Sequence, residues 1–327
     1  MSYDLGKAVG YEEPDVPVAW NQRDLILYAI GIGAKKDDFA LINELDKSWS
    51  PFPTYPVVLI FKRADQDLND FKARIGGGTR APGLPKFDPN RGVHATQSIQ
   101  VIKPIPAVSG DGWKLKRKIV AISENKSGIV LESECILVDP QGEVYAKLYT
   151  SSFNLGAKAL NKPFTKRIAG PPQPSTKIPR DRKPDYVVTD KTTPEQAITY
   201  RLSGDYNELH INPKIGQSAG FGGVILHGLS TYGFAARSIV SSLTPSTPSN
   251  LKFFSVRFTS PVKPGDSLET SIWVVGQVPK DQVDGEEDVL EVLFETKNVK
   301  TGKVCLGNGL AWVKKDGSAS TDVKGKL

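Results

Sequence analysis

The chain has 327 residues, 39% of them hydrophobic, enough for two domains of ordinary size. Its formal charge of +6, from 42 basic and 36 acidic residues, is mild and scattered, so no basic stripe points to nucleic acid. Two cysteines are too few for a disulfide scaffold and form no metal-binding spacing with histidine, and no apolar run reaches the length of a membrane span. Residues Met1 to Gly10 lack the apolar core of a secretory signal.

In chain order, the first element is an apolar helix with glycines, Asp24 to Ala34. A run of glycines follows within Ile75 to Gly83, which breaks helix. It lacks the Gly-Lys-Ser/Thr ending of a phosphate loop. Next comes a strand through Ser98 to Pro106, broken by proline and restarted after Gly110-Asp111. Alternating segments Lys114 to Ile122, Ile129 to Leu137 and Glu143 to Ser151 read as strands, with a hairpin turn at Asp139 to Gly142. Cys135 falls on one of them, which suits core packing in a reducing compartment.

The same script recurs later in the chain. Ser255 to Pro264 runs to Gly265-Asp266, then Ser267 to Val275, Val289 to Lys297, a turn at Val299 to Gly302, and Lys303 to Lys314, with Cys305 on the last. The expected organisation is a first repeat at 1–160, a proline-rich linker at 161–183 and a second repeat at 184–327. A helical pattern, Leu229, Tyr232, Ala236, Ile239, Val240 and Leu243, opens clearly at Gly228 in the second repeat, and its equivalent in the first is poor.

Chemistry concentrates just before that helix. Ser203-Gly204-Asp205-Tyr206-Asn207-Glu208-Leu209-His210 sets a carboxylate, a carboxamide and an imidazole within six residues, and Val224-Ile225-Leu226-His227-Gly228 follows. A carboxylate and an imidazole within reach of one water can carry general acid–base work. Asn207 has amide donors for a carbonyl or a water. The N–H groups that open a helix lack acceptors in their own helix and suit a developing negative charge. His94 and His227 read as structural histidines.

These two segments resemble the S-G-D-x-N-P-L-H and P-I-L-H-G motifs of the (R)-specific enoyl-CoA hydratases, the MaoC-like hydratase 2 group. Glu208 stands where that group has Pro. The resemblance covers nearly the whole chain and extends to the hydratase part of peroxisomal multifunctional enzyme type 2, without its dehydrogenase part. It implies an α+β double hot-dog fold, two antiparallel sheets each wrapped on a helix, with the first helix degenerate and its space left to an acyl tail. It implies a hydro-lyase that adds water to a trans-2-enoyl thioester. Asp205 and His210 are then the acid–base pair, Asn207 orients carbonyl or water, and the backbone N–H of Gly228 forms the oxyanion site. Glu44 lies where the family has a Tyr-Glu-Gly segment and is not assigned to catalysis. The substrate is the coenzyme A thioester itself, and no metal or further cofactor is expected; a homodimer is. The alternatives are a biosynthetic dehydratase on an unusual acyl thioester, a hot-dog thioesterase, and a non-catalytic acyl-thioester binder. The terminal Gly325-Lys326-Leu327 is similar to a peroxisomal targeting tripeptide with glycine at its small-residue position, so a peroxisome is expected, with the cytoplasm as alternative.

Overall fold

The computed structural model describes residues 3–76, 81–88, 91–245, 247–283 and 288–315, so part of the first glycine run and the targeting-like tail lie outside the described residues. Among the described residues, eleven strands form one antiparallel sheet. In chain order they are β1 (Glu12–Pro17), β2 (Gly92–Val101), β3 (Lys114–Asn125), β4 (Gly128–Val138), β5 (Val144–Leu155), β6 (Phe164–Arg167), β7 (Tyr186–Lys191), β8 (Leu251–Phe258), β9 (Ser267–Gln277), β10 (Val289–Asn298) and β11 (Val304–Lys314). Their spatial order is β1-β3-β4-β5-β2-β8-β11-β10-β9-β7, with β6 beside β3. The expected strand pattern of both repeats is present, including turns closed by Gly142 and Gly302 with φ of 89° and 67°.

The halves meet where β2 pairs with β8, and Ser98 faces Ser255. The two strands occupy matching places in the repeat and run antiparallel. Gln97 faces Val256 and Ile99 faces Phe254, so Ser98 meets its own counterpart and the residues on either side of it meet each other's, across a local pseudo-two-fold.

The long helix Gly228–Leu243 is buried on all sides from Leu229 to Val240. Leu229, Tyr232, Ala236 and Ile239 join Phe254, Val256 and Phe294 of the sheet in the main core. Small residues let a helix of the first half come close. That helix, Gln22–Gly31, starts with a capping box made by Asn21 and Asp24. Its C-terminal carbonyls are satisfied across the halves: Gly31 O accepts from Gln196 Nε2 and Ser230 Oγ, both at 2.9 Å, and Ile32 O from Arg237 Nε at 3.3 Å.

Two expectations need correction. The core helix of the first half is degenerate, as expected, but it precedes the glycine run instead of falling within it. It is Tyr55–Lys62, a 3₁₀ turn passing into one α-turn, and Tyr55, Val57, Val58 and Leu59 are buried in the main core. The proline-rich segment is also more than a spacer. It contributes β6 to the edge of β3, then lies across the outer face of β9 and β10. There Ser175 N donates to Glu291 at 2.8 Å, Arg180 forks onto Glu295, and Ile178 packs on the Phe253–Trp312 cluster. Proline holds this stretch extended, and sheet carboxylates supply its partners.

Among the described residues no helix is long and apolar enough to cross a membrane. Cys135 and Cys305 are free and buried.

Candidate active site

The helix Gln196–Arg201 ends in two tight turns, Ser203 N to Tyr200 O and Gly204 N to Arg201 O, both at 2.9 Å. Gly204 sits at φ +123°, and a Cβ there would run into the backbone of Lys62. The end of the first half's short helix therefore seats the loop that carries Asp205. Lys62 is itself held by Ala19 O and Asp65 O, at 2.8 Å each, and pairs with Asp24 at 3.2 Å.

Asp205 Oδ1 accepts from Asn207 N at 3.3 Å, an Asx turn. Asn207 Oδ1 accepts from Leu209 N at 3.0 Å and caps the 3₁₀ turn Glu208–His210. The Asn207 side-chain oxygen is thus engaged by the cap, which turns the NH₂ group to the role of donor for an incoming molecule. Glu208 Oε2 accepts from Asn212 Nδ2 at 3.3 Å.

His210 is 8% exposed, and its Nδ1 donates to Ile225 O at 2.9 Å. A carbonyl can only accept, so the Nδ1 bears the proton and Nε2 keeps a lone pair. His227 is buried, and its Nε2 donates to the backbone oxygen of Asp205 at 3.1 Å. Its ring stacks on His210 with centroids 3.7 Å apart and planes at 27°. His227 also precedes the first residue of the long helix. There Gly228 comes so close to Phe258 that an added Cβ would meet the ring at 3.2 Å.

Burial raises the Asp205 carboxyl above its usual range, against the pull of His210 and the Asn207 N–H. Burial lowers the His210 imidazole, against the pull of Asp205. The two affinities for a proton are therefore moved toward each other, as a proton-exchanging pair requires. Burial also holds His227 well below the ordinary histidine range, with His210 adding to the effect.

Asp205, His210 and His227 each offer a ligand atom within 4.8 Å of the others. The stack argues against a metal there. Imidazole lone pairs lie in the ring plane, and two nearly parallel rings cannot aim theirs at one ion about 2 Å from both nitrogens.

Beside the loop lies a pocket of about 470 Å³ between the halves, with Ile26, Leu27, Ile30, Leu68 and Leu202 on its apolar lining and Arg23, Asp24, Lys62, Asp65 and Asp67 on its charged lining. Of the other candidates, His94 is bound to Thr96 O and Thr150 Oγ1 at 3.0 and 2.9 Å. Glu44 is exposed on a loop. The sequence offered no sign of the role of Lys62, nor of the two imidazole-to-carbonyl ties.

The chain matches two family models, a MaoC-like domain over residues 176–295 and the MFE-2 hydratase 2 N-terminal domain over residues 19–156. It is 36% identical to a protein of Ajellomyces capsulatus named "Probable dehydratase NIT22", covering 93% of this chain and 81% of that one. It is 30% identical to the peroxisomal enoyl-CoA hydratase 2 of Arabidopsis thaliana, over 91% and 92% of the two chains. A MaoC-like dehydratase from Phytophthora capsici superposes with a TM-score of 0.83 at 34% identity, over 97% of this chain and all of that one. Its doubled antiparallel sheet is a double hot-dog fold, and the chain belongs to the MaoC-like hydratase 2 family of hydro-lyases.

Proposed function

We propose that the protein reversibly hydrates trans-2-enoyl-CoA to (3R)-3-hydroxyacyl-CoA at the site formed by Asp205, His210 and Gly228. The observation that carries this is the pairing of a carboxyl of raised proton affinity with an imidazole of lowered affinity, beside a helix N-terminus opened by glycine. Asp205 and His210 hold one water against C3. As its oxygen bonds to C3, the pair takes one water proton, the π electrons move through C2 to the thioester oxygen, and the pair returns a proton to C2. The elements of one water are all that is added, the proton given to C2 replacing the one taken from the water, so the reaction calls for no further cofactor. The Gly228 N–H faces the oxygen on which charge develops, a type of donor worth about 3–4 kcal/mol. The Asn207 NH₂ orients the water or the carbonyl. The pocket between the halves receives the acyl chain beyond C3.

Direction follows from concentrations, so the same site serves a dehydratase. The names of the Ajellomyces and Arabidopsis relatives cover both senses. The Arabidopsis protein's peroxisomal name favours a peroxisomal location, and hydration of an enoyl-CoA there would suit a part in fatty-acid breakdown. Import is tested by fusing the last twelve residues to a fluorescent protein. A homodimer is tested by sedimentation.

The deciding experiment offers purified protein trans-2-enoyl-CoA esters of several lengths. Loss of the conjugated absorbance with a (3R) product supports the reading. Release of free coenzyme A would make the protein a thioesterase, and binding without turnover would make it a carrier.

A further inference from the structure

The two stacked imidazoles make crossed ties. His210 belongs to the Asp205 loop and donates to Ile225 O in the segment leading to the helix. His227 belongs to that leading segment and donates to the backbone oxygen of Asp205. Each ring thus closes a bond onto the other ring's chain segment, and the rings press face to face at 3.7 Å. A second bond anchors the leading segment to the loop between β8 and β9, from Leu226 N to Val262 O at 2.8 Å. His227 is the N-cap residue of the long helix, with no side-chain cap of its own, and its carbonyl accepts from Ser230 N and Thr231 N at 3.1 and 3.2 Å. Its ring therefore links the peptide group of Asp205 to the residue that presents the Gly228 N–H.

We infer that His227 is a positioning residue: with His210 it forms a reciprocal clasp that fixes the acid–base pair relative to the Gly228 N–H. This rests on the proposed hydratase reading. Hydration needs the water at C3 and the donor at the thioester oxygen to act on one rigid conjugated system, so their spacing matters more than either position alone. A misplacement of about 1 Å costs on the order of 10²-fold in rate.

The remaining details of the ring agree with this role. With Nε2–H committed to Asp205 O, His227 Nδ1 carries a lone pair, and that atom is buried without a partner. A second proton on it would put a cation against the face of His210. Kept neutral, His227 leaves His210 free to gain and lose the catalytic proton. Tyr200 closes on the His227 ring at 5.0 Å between centroids and limits its rotation.

The clasp demands opposite tautomers on the two rings, which a mere packing role does not. The chain has three histidines, so each can be resolved in protein labelled with ¹⁵N-histidine. We expect His210 as the Nδ1–H form and His227 as the Nε2–H form near neutral pH, read from long-range ¹H–¹⁵N couplings. His227 found as Nδ1–H, or as a cation, overturns the proposal, whatever substrate the protein uses. The kinetic arm follows if the wild type hydrates enoyl-CoA. His227→Phe keeps a stacked ring but no donor, and kcat is expected to fall about 10²-fold with KM within about threefold. His227→Gln restores an N–H near the Nε2 position and should return kcat to within about tenfold of wild type. If His227→Phe raises KM with kcat unchanged, or if Phe and Gln variants are equally active, His227 does not position the site. If His227→Phe fails to fold, the tautomer measurement decides alone.

Discussion

Tyr55–Lys62 in the first half and Gly228–Leu243 in the second both lie against the sheet in the main core, yet their N-termini differ in kind. In the first half the position before the helix is Thr54, fully buried, with its hydroxyl bonded to Tyr28 at 2.8 Å and Pro56 occupying the first turn. Proline removes a donor, and the Thr54–Tyr28 bond fills the space. In the second half the helix opens on glycine beside two imidazoles and a carboxyl. The same frame thus has one stopped end and one open end. On the proposed reading, the open end is a helix N-terminus left free of its own side chains, with acid and base brought to it by a separate loop.

The sharpest way to break that contrast is at the acid–base pair. Asp205→Asn should leave the melting profile close to wild type and lower hydration about 10²–10⁴-fold. His210→Ala should behave alike, and the double variant should lose far less than the product of the two, since they act as a unit. Activity of Asp205→Asn within threefold of wild type would remove the carboxyl from the mechanism.

A second test exchanges the roles of the two helix ends. Gly228→Ala puts a methyl group against Phe258 and crowds the proposed oxyanion position while keeping the N–H, so kcat should fall about 10–100-fold, less than the roughly 10²–10³-fold of losing such a donor outright. Thr54→Ala at the stopped end should leave kcat near wild type and cost about 1–3 kcal/mol of stability, because the Tyr28 hydroxyl is stranded. Equal kinetic effects from the two would mean that both ends shape the reaction.

The pH dependence of stability separates the halves less strongly. Burial lowers His94 in the first half to about 4, and lowers His210 and His227 in the second. In the window between these values and the ordinary histidine range near 6.5, the unfolded chain binds more protons. Stability is therefore full above about pH 7 and declines as pH falls through 6.5, and the His94 contribution levels off below about 4. That contribution alone is on the order of 3 kcal/mol. Denaturant midpoints between pH 8 and 4 should trace the fall, and His94→Gln should flatten it. A midpoint constant over that range would contradict the buried, neutral state of all three rings.

The smallest effect belongs to Glu208. It opens the 3₁₀ turn, where proline is favoured, and Asn207 before it already has φ −59° and ψ 121°, which suits a residue preceding proline. Glu208→Pro should keep activity and shift stability by about 1 kcal/mol or less, even with the Asn212 bond lost. Unfolding would show that this loop departs from the backbone path that proline fits.

The duplication was legible because both halves repeat the same proline break and Gly-Asp restart, at Gly110-Asp111 and Gly265-Asp266. The edge strands were not. Glu12–Pro17 looks like a charged loop with prolines, and becomes β1 because Glu12, Glu13 and Asp15 meet Lys118, Arg117 and Lys114 across the ladder. The short core helix was hidden by Pro51, Pro53 and Pro56, which discount helix in any local reading. At the site, Asp205, His210 and Gly228 stood out because side-chain chemistry is written in residue names. The ties that join them end on the carbonyls of Asp205 and Ile225, and every residue has a carbonyl.

The seam at Ser98 and Ser255 has a consequence for how the molecule can change. Two separate copies meeting along that ladder would part on dilution and would carry every substitution twice. Covalent linkage holds the second half beside the first at an effective concentration set by the connecting strap, independent of how much protein is present. It also frees each half to drift alone. Thr54 can plug one end while Gly228 stays open at the other, and a pocket residue such as Ile26 or Leu27 can be altered without the same change being copied into the second half.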